Sequence, residues 1–116
     1  MGNILIIEDE GIISLDVKET LKSMGFAVET AADGIEGLEK IKQKQTYSSI
    51  ILNNNMPEMD GEEFYIRVLA LNKNLAKRIV FASGQITDFI RSTGNPFLVK
   101  PFSHEQLIEA VKKLTL

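Results

Sequence analysis

Apolar residues follow two rhythms along this chain, and the rhythms alternate. Asn3-Ile4-Leu5-Ile6-Ile7 is a short, nearly continuous apolar run, the pattern of a strand covered on both faces rather than one with a wet side. It stops abruptly at Glu8-Asp9-Glu10. From Gly11 to Met24 the residues Ile13, Val17, Leu21 and Met24 recur at helical spacing, and Gly25 supplies a C-terminal stop. Phe26 to Thr30 predicts a second strand. Asp33-Gly34 opens a second helix, running to about Lys44, with Ile35, Leu38 and Ile41 turned inward. The alternation then repeats with Ser49-Ile50-Ile51-Leu52 as a buried strand, a polar loop through Asp60-Gly61, and a helix carrying Phe64, Val68 and Leu71 on one face. Arg78 to Ala82 and Pro96 to Val99 predict the fourth and fifth strands. Ser103-His104-Glu105-Gln106 is a capping box, and Leu107, Ile108, Val111 and Leu114 form the inner face of the helix behind it.

Five strand–helix units in regular alternation predict an α/β domain with a doubly wound, five-stranded parallel sheet, because parallel strands need crossovers and the crossovers are right-handed. The chain has 116 residues, 44% of them hydrophobic and 25% charged. That suffices for one core and is too short for two, so residues 1–116 are expected to form a single domain. The chain ends soon after the last helix, and no output domain is expected. A net charge of −3, with the basic residues scattered, argues against nucleic acid, whose binding needs clustered Lys and Arg. There is no Cys, which excludes disulfides and thiolate metal sites. No apolar run reaches the roughly 18 residues of a membrane span, and no signal-type N-terminus is present. Met1-Gly2 opens like a myristoylation signal, but Ile6 stands where that pattern wants Ser or Thr. The expectation is a soluble, cytoplasmic domain without a membrane partner.

In a doubly wound sheet the ligand crevice lies beyond the carboxyl ends of the strands, where the strand order reverses. Glu8-Asp9 after strand one, Asn53 after strand three, Ser83 after strand four and Lys100 after strand five all fall on that rim. Singly, each has an ordinary explanation. Glu8-Asp9 reads as an acidic turn, Asn53-Asn54-Asn55 as a polar loop, Met56-Pro57 as a loop anchor, Ser83-Gly84 as a turn and Lys100-Pro101 as a helix entry. His104 has no partner at ligand spacing and reads as an exposed helix-start residue. The convergence of the set on one rim is the stronger signal.

Ile4-Leu5-Ile6-Ile7-Glu8-Asp9-Glu10, Met56-Pro57-Glu58-Met59-Asp60-Gly61, Ser83-Gly84 and Lys100-Pro101-Phe102 together resemble the receiver domain of two-component response regulators, over essentially the whole chain. Arg78 to Phe102 is similar to receivers attached to hybrid histidine kinases. The resemblance implies a flavodoxin-like sheet of order 2-1-3-4-5. It assigns Asp9 as a direct magnesium ligand, Glu8 as an outer-sphere partner through water, and Asn55 as a ligand through its backbone carbonyl, a donor set that suits a hard, oxygen-seeking ion. Ser83 takes the place of the switch hydroxyl, Lys100 that of the phosphoryl-pairing cation, and Phe97 that of the aromatic reporter. Lys100-Pro101 is expected to be a cis peptide. A sensor histidine kinase or phosphotransfer domain is the implied partner.

The chain departs from that family twice. Asn53 stands where the family has its phosphoacceptor Asp, and a carboxamide is a much poorer nucleophile that makes no acyl phosphate. The amide also lowers the pocket's negative charge by one, which should weaken magnesium and relieve like-charge crowding. The expected function is therefore a phosphorelay receiver unable to accept phosphate in this form, either an engineered inactive variant or a natural pseudo-receiver. Only residues 83–95 separate strands four and five, near the minimum for a crossover of about 10–12. The fourth helix is accordingly expected to be short or irregular, and the usual docking face altered. Phe89 and Ile90, within that crossover, read equally as core or as a contact patch. An alternative is a magnesium-dependent phosphohydrolase or phosphotransferase on the same fold, but with Asn53 it lacks a nucleophile and a positioned general acid. A nucleotide-binding domain is disfavoured because Glu8-Asp9, not a glycine-rich loop, follows strand one.

Overall fold

In the computed structural model, residues 2–115 are described; Met1 and Leu116, the ends of the expected domain, lie outside them. In chain order the elements are β1 (Asn3–Ile7), α1 (Gly11–Ser23), β2 (Ala27–Ala31), α2 (Gly34–Gln43), β3 (Tyr47–Asn53), α3 (Gly61–Leu71), α4 (Lys73–Ala76), β4 (Ile79–Ser83), α5 (Asp88–Thr93), β5 (Phe97–Val99) and α6 (His104–Thr115). All strand pairs are parallel, as the alternation predicted, and the order is β2-β1-β3-β4-β5, as the resemblance implied. Strand order reverses between β1 and β3, so the residues following those two strands flank one crevice.

Side chains alternate along each strand and divide the core in two. Ile4 and Ile6 of β1 face Val17 and Leu21 of α1 and Leu107 and Val111 of α6. Leu5 and Ile7 face the other way, with Leu38 and Ile41 of α2, Phe64 and Val68 of α3 and Ile90 of α5. Each fully buried aliphatic or aromatic side chain contributes about 1.5–3 kcal/mol of transfer free energy, and these two layers hold the strand ends in register.

Two inward positions are corrected. Ile35 is 49% and Leu71 45% exposed. On α2 the buried positions are Gly34, Gly37, Leu38 and Ile41. A Cβ on Gly37 would lie 2.6 Å from Ile7 Cδ1, so glycine brings the helix close to β1 and rotates Ile35 outward. Leu71 is the last residue of α3; the backbone turns extended at Asn72, whose side chain caps the unforeseen short helix α4.

The shortened crossover holds a six-residue α5, capped by Thr87 and closed by Gly94 in the left-handed conformation, as its length predicted. It is anchored from inside. Ile90 is fully buried, and Phe89 joins Tyr65 and Phe81 in a cluster with ring centroids 5.7–6.0 Å apart. Buried Asn95 donates through Nδ2 to the carbonyls of Ala76 and Ile79 at 2.8 and 2.9 Å. Ile90 is therefore a core residue, and half-buried Phe89 packs against the core. The capping box at α6 is formed: Ser103 N donates to Gln106 Oε1 at 2.9 Å, and Gln106 N to Ser103 Oγ at 3.1 Å. Exposed His104 sits with Nε2 3.2 Å from both oxygens of Asp16 on α1. Among the described residues, no helix is long and apolar enough to cross a membrane.

Candidate functional site

The registers Ile7↔Leu52 and Asn53↔Ala82 place Glu8, Asn53 and Ser83 along one edge of the sheet. The ladder continues a step past the strands, with Glu8 N donating to Ala31 O at 3.1 Å, Asn54 N to Ala82 O at 2.9 Å and Lys100 N to Ser83 O at 2.8 Å. Backbone pairing thus aims four loops at a common point. The Lys100-Pro101 peptide is cis, as expected. After β3 the chain makes a tight turn, Met59 N to Pro57 O at 2.8 Å with Glu58 at φ 69°, which puts Met59 into the core. Asp60 then caps α3 by accepting from Glu63 N at 2.9 Å. Gly61 lies against Asn54, whose side-chain oxygen a Cβ would strike.

Asn53 is 4% exposed and sits at the centre. Its Nδ2 donates to Asp9 Oδ1 at 2.9 Å and Glu8 Oε1 at 3.2 Å, and lies 3.5 Å from the Asn55 carbonyl. Its Oδ1 accepts from Lys100 Nζ at 3.1 Å and Asn55 N at 3.2 Å. Lys100 also pairs with Glu8 Oε2 at 3.3 Å, and the Glu8 side chain is only 5% exposed. Burial pushes the Glu8 carboxyl above its usual range; the Lys100 charge and the hydrogen bond from Glu10 N pull it down without cancelling the rise.

Five of the predicted site residues, Glu8, Asp9, Asn53, Asn55 and Lys100, therefore meet. Ser83 joins at the edge: its Oγ donates to Gln85 O at 2.8 Å, and Asn55 Nδ2 approaches it at 3.4 Å. Phe97 takes no part in these hydrogen bonds. Its ring is 37% exposed and lies under the Arg91 guanidinium, 5.6 Å from centroid to Cζ.

The sequence reading missed two features. The Asn55 side chain bridges to Ser83, for which a turn-prone Asn beside the strand end was the available signal. Ile12 (86% exposed) and Leu15 (58%) are exposed apolar residues of α1; Ile12 lines a cleft with Lys100, Pro101 and Phe102, and Leu15 another with Glu8 and Asp9, an apolar pair opposite the core face that was visible in the spacing.

The carboxylates of Glu8 and Asp9 and the Asn55 carbonyl are oxygen donors of the kind Mg²⁺ prefers. The amide between them is not, since it presents a nitrogen donor to the same three oxygens. Among the described residues, no group of three His, Cys, Asp or Glu side chains is placed to hold a metal ion. In this arrangement the pocket does not fit the ion.

The response regulator receiver domain family matches residues 4–112. The chain belongs to that family. It is 29% identical to the chemotaxis protein CheY of Listeria monocytogenes over 97% of this chain and 98% of CheY. It is 32% identical to the sensor kinase CckA of Brucella abortus over 97% of this chain but only 12% of that protein. Among solved structures it superimposes on the response regulator TrrA of Thermotoga maritima, determined in complex with Mg²⁺ and BeF, with a TM-score of 0.88 and 30% identity, covering 98% of this chain and 99% of TrrA. The receiver is thus a two-component signalling domain with a flavodoxin-like sheet.

Proposed function

We propose that this receiver, taken as residues 1–116, is a phosphorelay module that does not accept phosphate in its present form. One observation carries the reading: the group at the focus of the pocket, its nitrogen facing two carboxylates and its oxygen an ammonium, is the amide of Asn53. In a carboxylate at that point, an oxygen lone pair would form a bond to phosphorus as the donor's leaving group departs. An amide oxygen attacking in the same way would leave positive charge on its carbon–nitrogen unit, and no stable acyl phosphate results. Lys100 and Ser83 are the groups to balance and hydrogen-bond a phosphoryl oxygen, with Phe97 the aromatic reporter. Glu8, Asp9 and Asn55 are the magnesium positions of the acceptor-competent form, and Asn53 weakens that ion's binding. The retained acids, hydroxyl and ammonium support a phosphate pocket altered at a single atom.

Receiver domains interact with histidine kinases and phosphotransfer proteins, and we take such a protein, in the cytoplasm, as the partner. Exposed Ile12, which shares a cleft with Phe102, and exposed Leu15, which lines one with Glu8 and Asp9, support docking there. The role is that of a binding and relay module, not a turnover catalyst, since Glu8 and Asp9 are the pocket's carboxylates and both are tied to the Asn53 amide.

The test is incubation with Mg²⁺ and a small acyl phosphate, followed by intact-mass analysis. The parent chain is expected to gain no phosphate, and Asn53→Asp to gain one labile phosphate. An adduct on the parent overturns the reading, as does steady hydrolysis of a phosphate ester. If Asn53→Asp binds Mg²⁺ yet stays unmodified, the pocket is that of a partner-binding pseudo-receiver.

A further inference from the structure

The side-chain amide of Asn53 is held from both sides in one orientation. Lys100 Nζ and Asn55 N both donate to Oδ1, so turning the amide over would set its NH₂ against an ammonium and an N–H. Held this way, Nδ2 points at Glu8 Oε1, Asp9 Oδ1 and the Asn55 carbonyl. The two carboxylate contacts are charge-assisted hydrogen bonds. Lys100 completes the pairing through Glu8 Oε2. Every polar atom of the Asn53 side chain is used, and the two acids have donors without any ion.

We infer that the Asn53 amide is an internal substitute for a divalent cation: it bridges Glu8, Asp9 and the Asn55 carbonyl, so that the pocket is closed without metal and Mg²⁺ is kept out by the amide's orientation. This rests on the proposed identity of the pocket, and it goes further than a loss of charge. A missing charge lowers attraction for the cation; a fixed NH₂ also removes the oxygens the cation would use. Opening the site needs Nδ2 to leave two carboxylates at once.

The two accounts separate on a neutral-for-neutral change. Asn53→Ala leaves the formal charge of the pocket unaltered but deletes the donor. Mg²⁺ titration of the whole chain by calorimetry should show Asn53→Ala binding tighter than the parent by about tenfold, because two charge-assisted bonds no longer compete. In chelator, the same variant should melt below the parent, since its acids have lost their shared donor. If Asn53→Ala binds Mg²⁺ no more tightly than the parent, the inference fails and charge alone explains the pocket.

A second measurement needs no variant. The Asn53 side-chain NH₂ signals in a ¹⁵N-labelled parent should stay in place through millimolar Mg²⁺, and their displacement would overturn the inference. Neither readout depends on phosphorylation. Failure of Asn53→Asp to take phosphate would count against the functional reading while leaving this result intact.

Discussion

Replacing Lys100 with methionine removes the cation that Glu8 and Asn53 share while keeping most of the side chain's bulk. At 3.3 Å from Glu8 Oε2, and with an effective dielectric of about 20, the attraction is roughly 5 kcal/mol before the cost of desolvation. Stripping one partner from a buried pair typically costs about 3–5 kcal/mol, because the other charge stays behind. Lys100 keeps 22% of its side chain in solvent, and Glu8 retains the Asn53 amide and Glu10 N as donors. We therefore expect the low end, about 3 kcal/mol for Lys100→Met. Glu8→Gln alone should cost about 1 kcal/mol, since it ends the attraction but leaves no unpaired buried acid. The double variant should be less destabilised than the sum by about 1.5 kcal/mol or more. Urea unfolding of the four proteins in chelator closes the cycle. If the single effects add to within about 0.5 kcal/mol, Lys100 and Glu8 are not coupled, and the electrostatic account of the pocket is wrong.

Far from the pocket, Tyr47 donates to Glu29 Oε1 at 3.0 Å beside the Lys44–Glu29 pair at 2.8 Å, and burial, with Glu29 second, pushes its phenol up to about 12. The folded value lies above the ordinary 10.0, so this stabilisation is complete below about pH 10 and is lost as pH rises towards 12. Melting temperatures across that range should fall for the parent and be flatter for Tyr47→Phe; parallel curves would refute the assignment. Asn95→Ala leaves the carbonyls of Ala76 and Ile79 without their side-chain donor and should cost about 2 kcal/mol. Hydrogen exchange should quicken first in Asp88–Thr93 and Phe97–Val99. An even change across the sheet would show that Asn95 does not anchor the crossover.

The layout of the sheet was readable because β1 and β3 are buried on both faces and leave unbroken apolar runs, which no surface strand does. The rim residues were readable as a set, since strand ends in a parallel sheet fix where the following side chains go. What stayed hidden depends on long-range pairing. Ile35 looked internal beside Leu38 and Ile41, yet Gly34 and Gly37 are the other buried positions, against Met59 and Ile7, and a residue with no side chain leaves no hydrophobic mark. The six-residue α5 was foreseen from chain length, but its anchors were not: Tyr65, Phe81 and Phe89 come from three separate elements. Asn53 was recognisable as an amide where the resemblance calls for an acid. Which way that amide turns was not, because Lys100 and Asn55 decide it jointly.

Glu8 and Lys100 are 92 positions apart in the chain, and Asn53 lies 47 from Lys100. No fragment ending before Lys100 contains the ammonium, and none beginning after Asp9 contains the acids. The pocket has no partial version, so it comes into being only when first and last strands are both seated on the central pair. A ribosome must therefore release almost the entire domain before any of this chemistry exists, and a clipped copy, however tidy its remaining helices, carries no fraction of it.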